Sequence, residues 1–430
     1  MFLVKPDRRI AQWQSASKYT EEAARFESCS AYQPDIEILF LSHCVPNPPD
    51  KGERIRAFHL LRLLADRYGV HLFCFARTSE EMEHAQALTD CCRSVYVELL
   101  PSKSALITAA AEFVRGKSLV NSFYASRRMR QQIESKCTGP IAATVAFSSA
   151  MAQYAPTHIP LLLDMVDVDS EKWFDYARMR QPAFLYRMEA RRFRRIETDL
   201  AQIAQCTFFA TDREQELFRS FARDVPSRAM ENGVDFAYFD PAVVIPTGEL
   251  RNRRLIVFVG AMDYYPNVDA VTWFSGEVFS RLREADPDLE FFIVGRNPLD
   301  SVRALGNQPG VLVTGDVPDV RPFIAAAQAC VAPLRIARGI QNKVLEALAM
   351  GKHVCASAAV CETFGPQLPV GVSRCDTAQA YMDALKMPCI AAGPEIRLAA
   401  QRRFCWHTNL QVFAQHLDGV INGRQAAAAG

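Results

Sequence analysis

The chain of 430 residues is most informative first for what it lacks. It has no Walker phosphate loop, no Gly-x-Ser-x-Gly elbow and no dinucleotide fingerprint, which removes the commonest ATPase, serine hydrolase and dehydrogenase readings. No apolar run approaches the ~18 residues that span a bilayer. An excess of either charge is also missing. Lys and Arg number 49 against 48 Asp and Glu, a net charge of +1, so nothing drives the whole chain toward nucleic acid. The 13 cysteines include no Cys-x-x-Cys pair, and none of the eight histidines pairs with another at metal-ligand spacing. Cys74, Cys206, Cys330 and Cys355 sit in apolar segments and read as buried free thiols of a reducing cytoplasm. Adjacent Cys91 and Cys92 are poorly placed for a structural bridge. The N-terminus, with Lys5, Asp7, Arg8, Arg9, Glu21 and Glu22, lacks the apolar core of a signal peptide. What remains is 49% apolar and 23% charged, a composition ordinary for a soluble globular enzyme, in a chain long enough for two domains.

Residues 1–34 show no period and read as an arm outside the folded core. From Glu37–Ser42 onward, short apolar runs alternate with helical patterns. Strands are expected at Val70–Ala76, Val95–Leu99, Ala142–Phe147, Leu161–Asp164 and Thr207–Ala210. An amphipathic helix is expected from Glu53 to Tyr68, ended by Gly69. This alternation implies parallel βαβ units. Residues 222–253, with Pro226, Asn232-Gly233, Pro241 and Pro246, break the pattern and mark a domain boundary. A second series then begins: strands at Leu255–Gly260, Leu289–Gly295, Val311–Gly315 and Ala329–Leu334, and helices at Val268–Ala285 and Val320–Ala329. A last helix is expected from Trp406 to Ile421. The expected domains are therefore 35–230 and 231–405, with 406–430 as a C-terminal helix that could pack back on the first domain. Ligands of such sheets bind beyond the carboxyl ends of the strands, and a cleft between the halves is the expected active site.

The densest chemistry lies in residues 331–356, which read as strand, glycine-bearing loop, helix and strand. Arg335, Arg338 and Gly339 occupy the loop, and Lys343 sits in the first helical turn. Cations are disfavoured at a helix N-terminus unless an anion binds there, so this pattern suits a phosphate. Glu346 lies one turn on, along the same face, and suits ribose hydroxyls; a plain Lys343–Glu346 surface ion pair is the competing reading. Gly260, Gly295 and Gly315-Asp316 at strand ends would let a ligand approach the backbone. In the first half, Asp50-Lys51-Gly52-Glu53-Arg54 again puts glycine and cations at a helix start, to touch the diphosphate, hold the acceptor or form a solvated loop. His43, at a strand's carboxyl end, is the best-placed histidine for catalysis, although a structural role suits it better. Asp164, Asp167 and Asp169 follow an apolar strand. The Asp167-Val168-Asp169 triplet could bind Mg²⁺, but substrate contacts or a helix cap at Asp169 or Ser170 suit it better. Residues 172–195 interleave eight cations with six aromatics, which fits an anionic membrane surface, a lipid-linked acceptor or a solvated helix face.

Taken together, several phrases resemble retaining glycosyltransferases of family four, which have the GT-B fold: two Rossmann-like, doubly wound parallel-sheet domains facing across a cleft. The phrases are Glu231-Asn232-Gly233-Val234-Asp235, Phe239-Asp240-Pro241, the run from Phe258 to Asp269 with Asn267, Ile293-Val294-Gly295, Val313 to Val317, and Pro333 to Gly351. Pro49 to Arg56 and Asp164 to Trp173 are similar to sugar transferases associated with bacterial exopolysaccharide systems of the PEP-CTERM type. The resemblance covers roughly residues 36–422. It implies transfer from a nucleotide diphosphate sugar, a UDP- or GDP-sugar, to a glycan or lipid-linked acceptor, with retention and without a metal or bound cofactor. Glu346 matches the ribose-binding glutamate, Gly339, Ile340 and Gln341 the phosphate loop, and Gly315, Asp316 and Val317 the nucleobase-lining segment. Three departures stand out. Arg338 replaces a glutamate, Ala261 replaces an arginine, and the companion lysine of that arginine is absent. Arg335 and Lys343 are expected to replace those cations and to carry catalysis, with Gly260, Asn267 and Arg338 at the donor. His43, Gly52, Glu53, Arg54 and Asp167 are expected on the acceptor side. A nucleotide-sugar epimerase of the same architecture and a non-catalytic nucleotide-sugar scaffold are the competing functions.

Overall fold

The computed structural model describes residues 33–50, 52–137, 139–246, 248–386 and 393–429. Residues 1–32 of the N-terminal arm read from sequence, and Lys51, therefore lie outside the described residues, whereas the last two residues of that arm, 33 and 34, belong to the first strand. The chain divides into two compact units. One holds the described residues up to Glu231 together with those from Leu410 onward; the other is Asn232–Asn409.

The first unit is built on seven parallel strands: β1 (Gln33–Ser42), β2 (Tyr68–Ala76), β3 (Ser94–Leu99), β4 (Ile141–Phe147), β5 (Leu161–Val166), β6 (Cys206–Phe209) and β7 (Ser227–Ala229). Their order is β3-β2-β1-β4-β5-β6-β7. Parallel strands covered by helices on both faces must be apolar throughout, and every residue of β2 is buried. Gly69 belongs to this strand, paired with Glu37 of β1, so it does not end the preceding helix. That helix, α1 (Gly52–Ala65), stops four residues before Gly69. His71 is enclosed in β2 between Ser94 and Glu37, and burial lowers its pKa. Beyond β5 the chain forms a helical hairpin, α2 (Asp169–Met179) and α3 (Ala183–Ile203).

The second unit has six parallel strands: β8 (Arg254–Val259), β9 (Leu289–Val294), β10 (Val311–Gly315), β11 (Ala329–Ala332), β12 (Val354–Ala356) and β13 (Val372–Arg374), in the order β10-β9-β8-β11-β12-β13. Helix α4 (Tyr265–Phe274) starts three residues before its sequence-expected start. Pro266 explains this, since a first-turn position needs no N–H. The helix continues through a π-turn at Ser275–Phe279 to Ala285. Helix α5 (Asn342–Ala349) follows β11 and its loop. The expected C-terminal helix is in fact two, Trp406–Asn409 and α6 (Gln411–Ala429). The second packs in the first unit, where Asp418 accepts hydrogen bonds from Arg67 and Tyr68 and Phe413 meets Phe208. The three-residue strands β7 and β13, Ser-Arg-Ala and Val-Ser-Arg, are short and interrupted by polar residues, so sequence reading misses them, whereas the equally short β12, Val-Cys-Ala, is wholly apolar and is read.

A buried ion pair locks the first unit. Arg56 of α1 and Asp164 of β5 are both fully buried. The guanidinium grips the carboxylate through two bonds, 2.8 and 3.0 Å, and donates a third to the Met230 carbonyl. Asp164 is thus a structural anchor, not the substrate contact the sequence suggested. Beside it Val166 adopts a left-handed φ of 68°, costly for a β-branched residue; its N–H reaches the Asp164 carboxylate at 3.2 Å. Asp164→Ala should cost about 3–5 kcal/mol, because it strands a buried guanidinium. The joint replacement Arg56→Met/Asp164→Leu should recover at least half of that loss in urea unfolding.

Candidate functional site

In the second unit, the sequence-expected residues fall at the carboxyl ends of the strands. Gly260 ends β8, and its N–H bonds to Val294 of β9. Gly295 ends β9 with φ 153°, and a Cβ there would lie 1.7 Å from the Gly260 carbonyl oxygen. Bare backbone at both positions lets neighbouring atoms approach the strand ends closely. A Cβ on Gly260 would approach Asn267 Nδ2 to 2.7 Å and Lys343 Nζ to 3.1 Å. Glycine is needed here so that these two side chains can lie on the strand end.

Lys343 is in the first turn of α5. Its ammonium donates to Asn267 Oδ1 at 2.6 Å and sits 4.2 Å from the centre of the Phe258 ring. Asn267 in turn donates to the Ala261 carbonyl at 2.9 Å. The surface ion pair with Glu346 is therefore not what holds Lys343. Burial lowers the Lys343 pKa to about 7, against a smaller upward pull from Glu346. Burial raises Glu346 to about 7, and the Lys343 charge partly offsets this. Gln341 caps α5 without a side-chain bond to the first turn, so its side chain satisfies none of the N–H groups that open a helix. Instead Gln341 Nε2 folds back to the carbonyls of Arg338 and Gly339. Gly339 has φ 63° and Gly315 φ 72°, both left-handed, while Ile340 is buried and Asp316 is exposed. Val317 packs against the core of this unit.

Arg335 is placed differently from the sequence expectation. It is exposed, and its guanidinium is clasped by Asp269 of α4, with one bond of 2.7 Å. The hydrogen bonds it donates to the Asp269 carboxylate are the main reason its pKa is raised. Asp269 and Phe258 are the neighbours that sequence reading missed as site residues. Phe258 could have been suspected from its place two residues before Gly260, whereas Asp269 meets Arg335 only through the fold.

The residues expected on the acceptor side all lie in the first unit, but they do not form one cluster. His43 stacks on Phe147 with centroids 5.4 Å apart, and its Nε2 is 3.4 Å from Glu53 Oε2. Its Nδ1 is buried without a hydrogen-bond partner. Tyr124 meets the His43 ring edge-on and accepts from Arg77 at 2.7 Å; neither residue was singled out in the sequence. Gly52 opens α1. Arg54 is buried between Asp50, at 3.0 Å, and Glu81, so its charge is balanced inside the protein. Asp167 and Asp169 converge on the Lys172 ammonium at 3.0 and 2.8 Å. A lysine thus occupies the position between the two carboxylates that the triplet suggested for Mg²⁺. Among the described residues, no group of three or more His, Cys, Asp or Glu side chains could hold a metal ion.

Residues 253–386 match the profile of glycosyl transferases group 1. No curated protein matches the chain. Among solved structures, sucrose-phosphate synthase from Thermosynechococcus elongatus is similar over 92% of this chain and all of its own, at 15% identity and a TM-score of 0.64. HepE from Anabaena, in complex with UDP and glucose, is similar over 89% of this chain and all of its own, at 14% identity and 0.61. Trehalose 6-phosphate synthase from Burkholderia multivorans covers 93% of this chain and is itself fully covered, at 12% identity and 0.58. The fold is GT-B. The matched domain and this fold support a glycosyltransferase.

The two perturbed groups predict how stability varies with pH. Lys343 falls from 10.5 to about 7 on folding, so the unfolded chain holds the extra proton between these values. Stability therefore rises with pH across that window, and the cost is complete below pH 7. Glu346 rises from 4.5 to about 7, so stability falls as pH rises through that range and its cost is complete above pH 7. Lys343→Met should gain on the order of 1–3 kcal/mol at pH 6, shrinking toward pH 10. Glu346→Gln should gain at pH 8 and not at pH 4.5. Denaturant titrations across pH check both signs.

Proposed function

We propose that the protein transfers a sugar from a nucleotide diphosphate sugar to a glycan or lipid-linked acceptor, with retention of anomeric configuration and without a metal ion, in bacterial exopolysaccharide synthesis at the cytoplasmic face of the membrane. The observation that carries the reading is the Lys343 ammonium held over Gly260 at the N-terminus of α5, inside the segment that matches glycosyl transferases group 1. The donor is a UDP- or GDP-sugar. UDP is favoured because structures of HepE hold UDP or UDP-glucose.

In this reading the diphosphate lies across Gly260 and the first turn of α5. Lys343 and the backbone N–H groups meet the charge that develops as the bond from the sugar C1 to the phosphate oxygen breaks. The acceptor hydroxyl oxygen forms the new bond to C1 on the same face, and its proton passes to the departing phosphate oxygen. Glu346 accepts from the ribose hydroxyls. Gly315, Asp316 and Val317 line the base, and Arg338, Gly339, Ile340 and Gln341 line the phosphates. Arg335 reaches the diphosphate by exchanging Asp269 for the anion. His43, Gly52, Glu53, Arg54 and Asp167 belong to the acceptor side. The lowered pKa of Lys343 fits this role, because a diphosphate beside the ammonium favours its charged form.

The test pairs binding with turnover. Thermal shifts with UDP, GDP, ADP and dTDP, with and without Mg²⁺, should pick out one diphosphate without needing the metal, and Lys343→Ala and Glu346→Ala should each lose that shift. Sugar transfer to an extracted glycan acceptor should fall about a hundredfold in Lys343→Ala with circular dichroism unchanged. Normal turnover in that variant would overturn its role. Donor consumed without acceptor would indicate an epimerase, and binding without any turnover a scaffold.

A further inference from the structure

The outer face of α3 has a composition that the donor chemistry does not use. The inner face of this helix buries Glu189, Ala190, Phe193, Glu197 and Ala201. At 100° per residue, Phe184, Arg187, Met188, Arg191 and Arg195 fall on the opposite side. All five are exposed, Phe184 at 61% and Met188 at 36%, with Leu185 beside them at 38%. From Phe184 to Arg195 this stripe carries no carboxylate. Of the three acids of this helix, two are turned inward and engaged: Glu189 accepts from Ser118 and from the N–H groups of Leu119 and Val120, and Glu197 accepts from the Ser170 N–H; the third, Asp199, is exposed one turn beyond Arg195, at the end of the stripe far from Phe184.

A solvated helix face pairs its arginines with acids at neighbouring turns and keeps large apolar side chains inside. This face does neither. The preceding turn of the hairpin extends the same character, because Met179 is half exposed and Arg180 stacks on Tyr176 at 5.0 Å. Apolar side chains at the tip with cations behind them match one kind of occupant. The Phe184 end enters the acyl boundary while the guanidinium groups meet phosphates.

We infer that the tip of the α2–α3 hairpin, with the outer face of α3, docks the protein on an anionic lipid surface. This deepens the membrane location in the proposed function and rests on that reading only for its purpose. The surface belongs to the first unit, and its docking needs neither donor nor turnover.

The test uses the full chain and vesicles of phosphatidylcholine alone or with 30% phosphatidylglycerol, read by co-sedimentation. Binding is expected to the anionic vesicles, falling at least tenfold between 50 and 500 mM salt. Phe184→Ser/Leu185→Ser and Arg187→Glu/Arg191→Glu should each lose at least tenfold. These side chains are exposed, so the variants should keep the wild-type melting temperature and diphosphate thermal shift. Absent or equal binding to the two vesicle types, or unchanged binding in both variants, overturns the inference. A wild-type dimer in sedimentation velocity that the variants dissolve, without vesicle binding, would assign the face to a second copy and also overturn it. Loss of diphosphate binding with vesicle binding intact would count against the proposed function alone.

Discussion

The second unit is organised around an ammonium kept where it is poorly solvated. Lys343 can occupy the end of β8 only because Gly260 has no side chain, Gly295 makes room for the Gly260 carbonyl, and Asn267 and Phe258 supply a dipole and a ring face. Each partner is weaker than the water it replaces, which is why the Lys343 pKa falls so far. Glu346 is held under the same penalty in the opposite sense. A structural pair would be expected to close on itself and relieve both costs. Burying the two groups without closing them into an ion pair costs stability, and such perturbed groups cluster at functional sites.

The first unit shows the contrary habit. Most of its charges near the strand ends are satisfied internally: Arg56 by Asp164, Arg54 by Asp50 and Glu81, Lys172 by Asp167 and Asp169. These pairs fix the ends of α1, β5 and α2. His43 differs, with one ring nitrogen buried and unpartnered against Phe147.

Much of the fold was legible because parallel strands buried on both faces must be written as apolar runs. β1, β2, β4 and β5 and their counterparts β8 to β11 show as such runs in the sequence. The limits of legibility are equally physical. Gly69 sits where a helix stop is expected, yet the ladder with β1 claims it. Short strands interrupted by polar residues, such as β7 and β13, carry no period, and a π-turn inside the long helix after β8 changes no pattern a reader could count. In the candidate site, the glycines, Lys343, Glu346 and Asn267 were readable because helix starts and strand ends constrain residue type locally.

What the sequence determined by itself was the succession of parallel βα units, the gathering of glycine and cations at residues 331–356 and the balance of charge, since all three depend on neighbours within a few positions. The tertiary structure decided which charges remain available. Arg335 and Lys343 look alike in the sequence, eight residues apart, but Asp269 clasps the first while Gly260 and Asn267 receive the second. Likewise the cations of residues 172–195 divide by helix face: Lys172 is consumed by carboxylates, whereas Arg187 and Arg191 stand outward beside Phe184. Pairing between side chains far apart in the chain follows from the packing of helices on sheets, which no local pattern encodes.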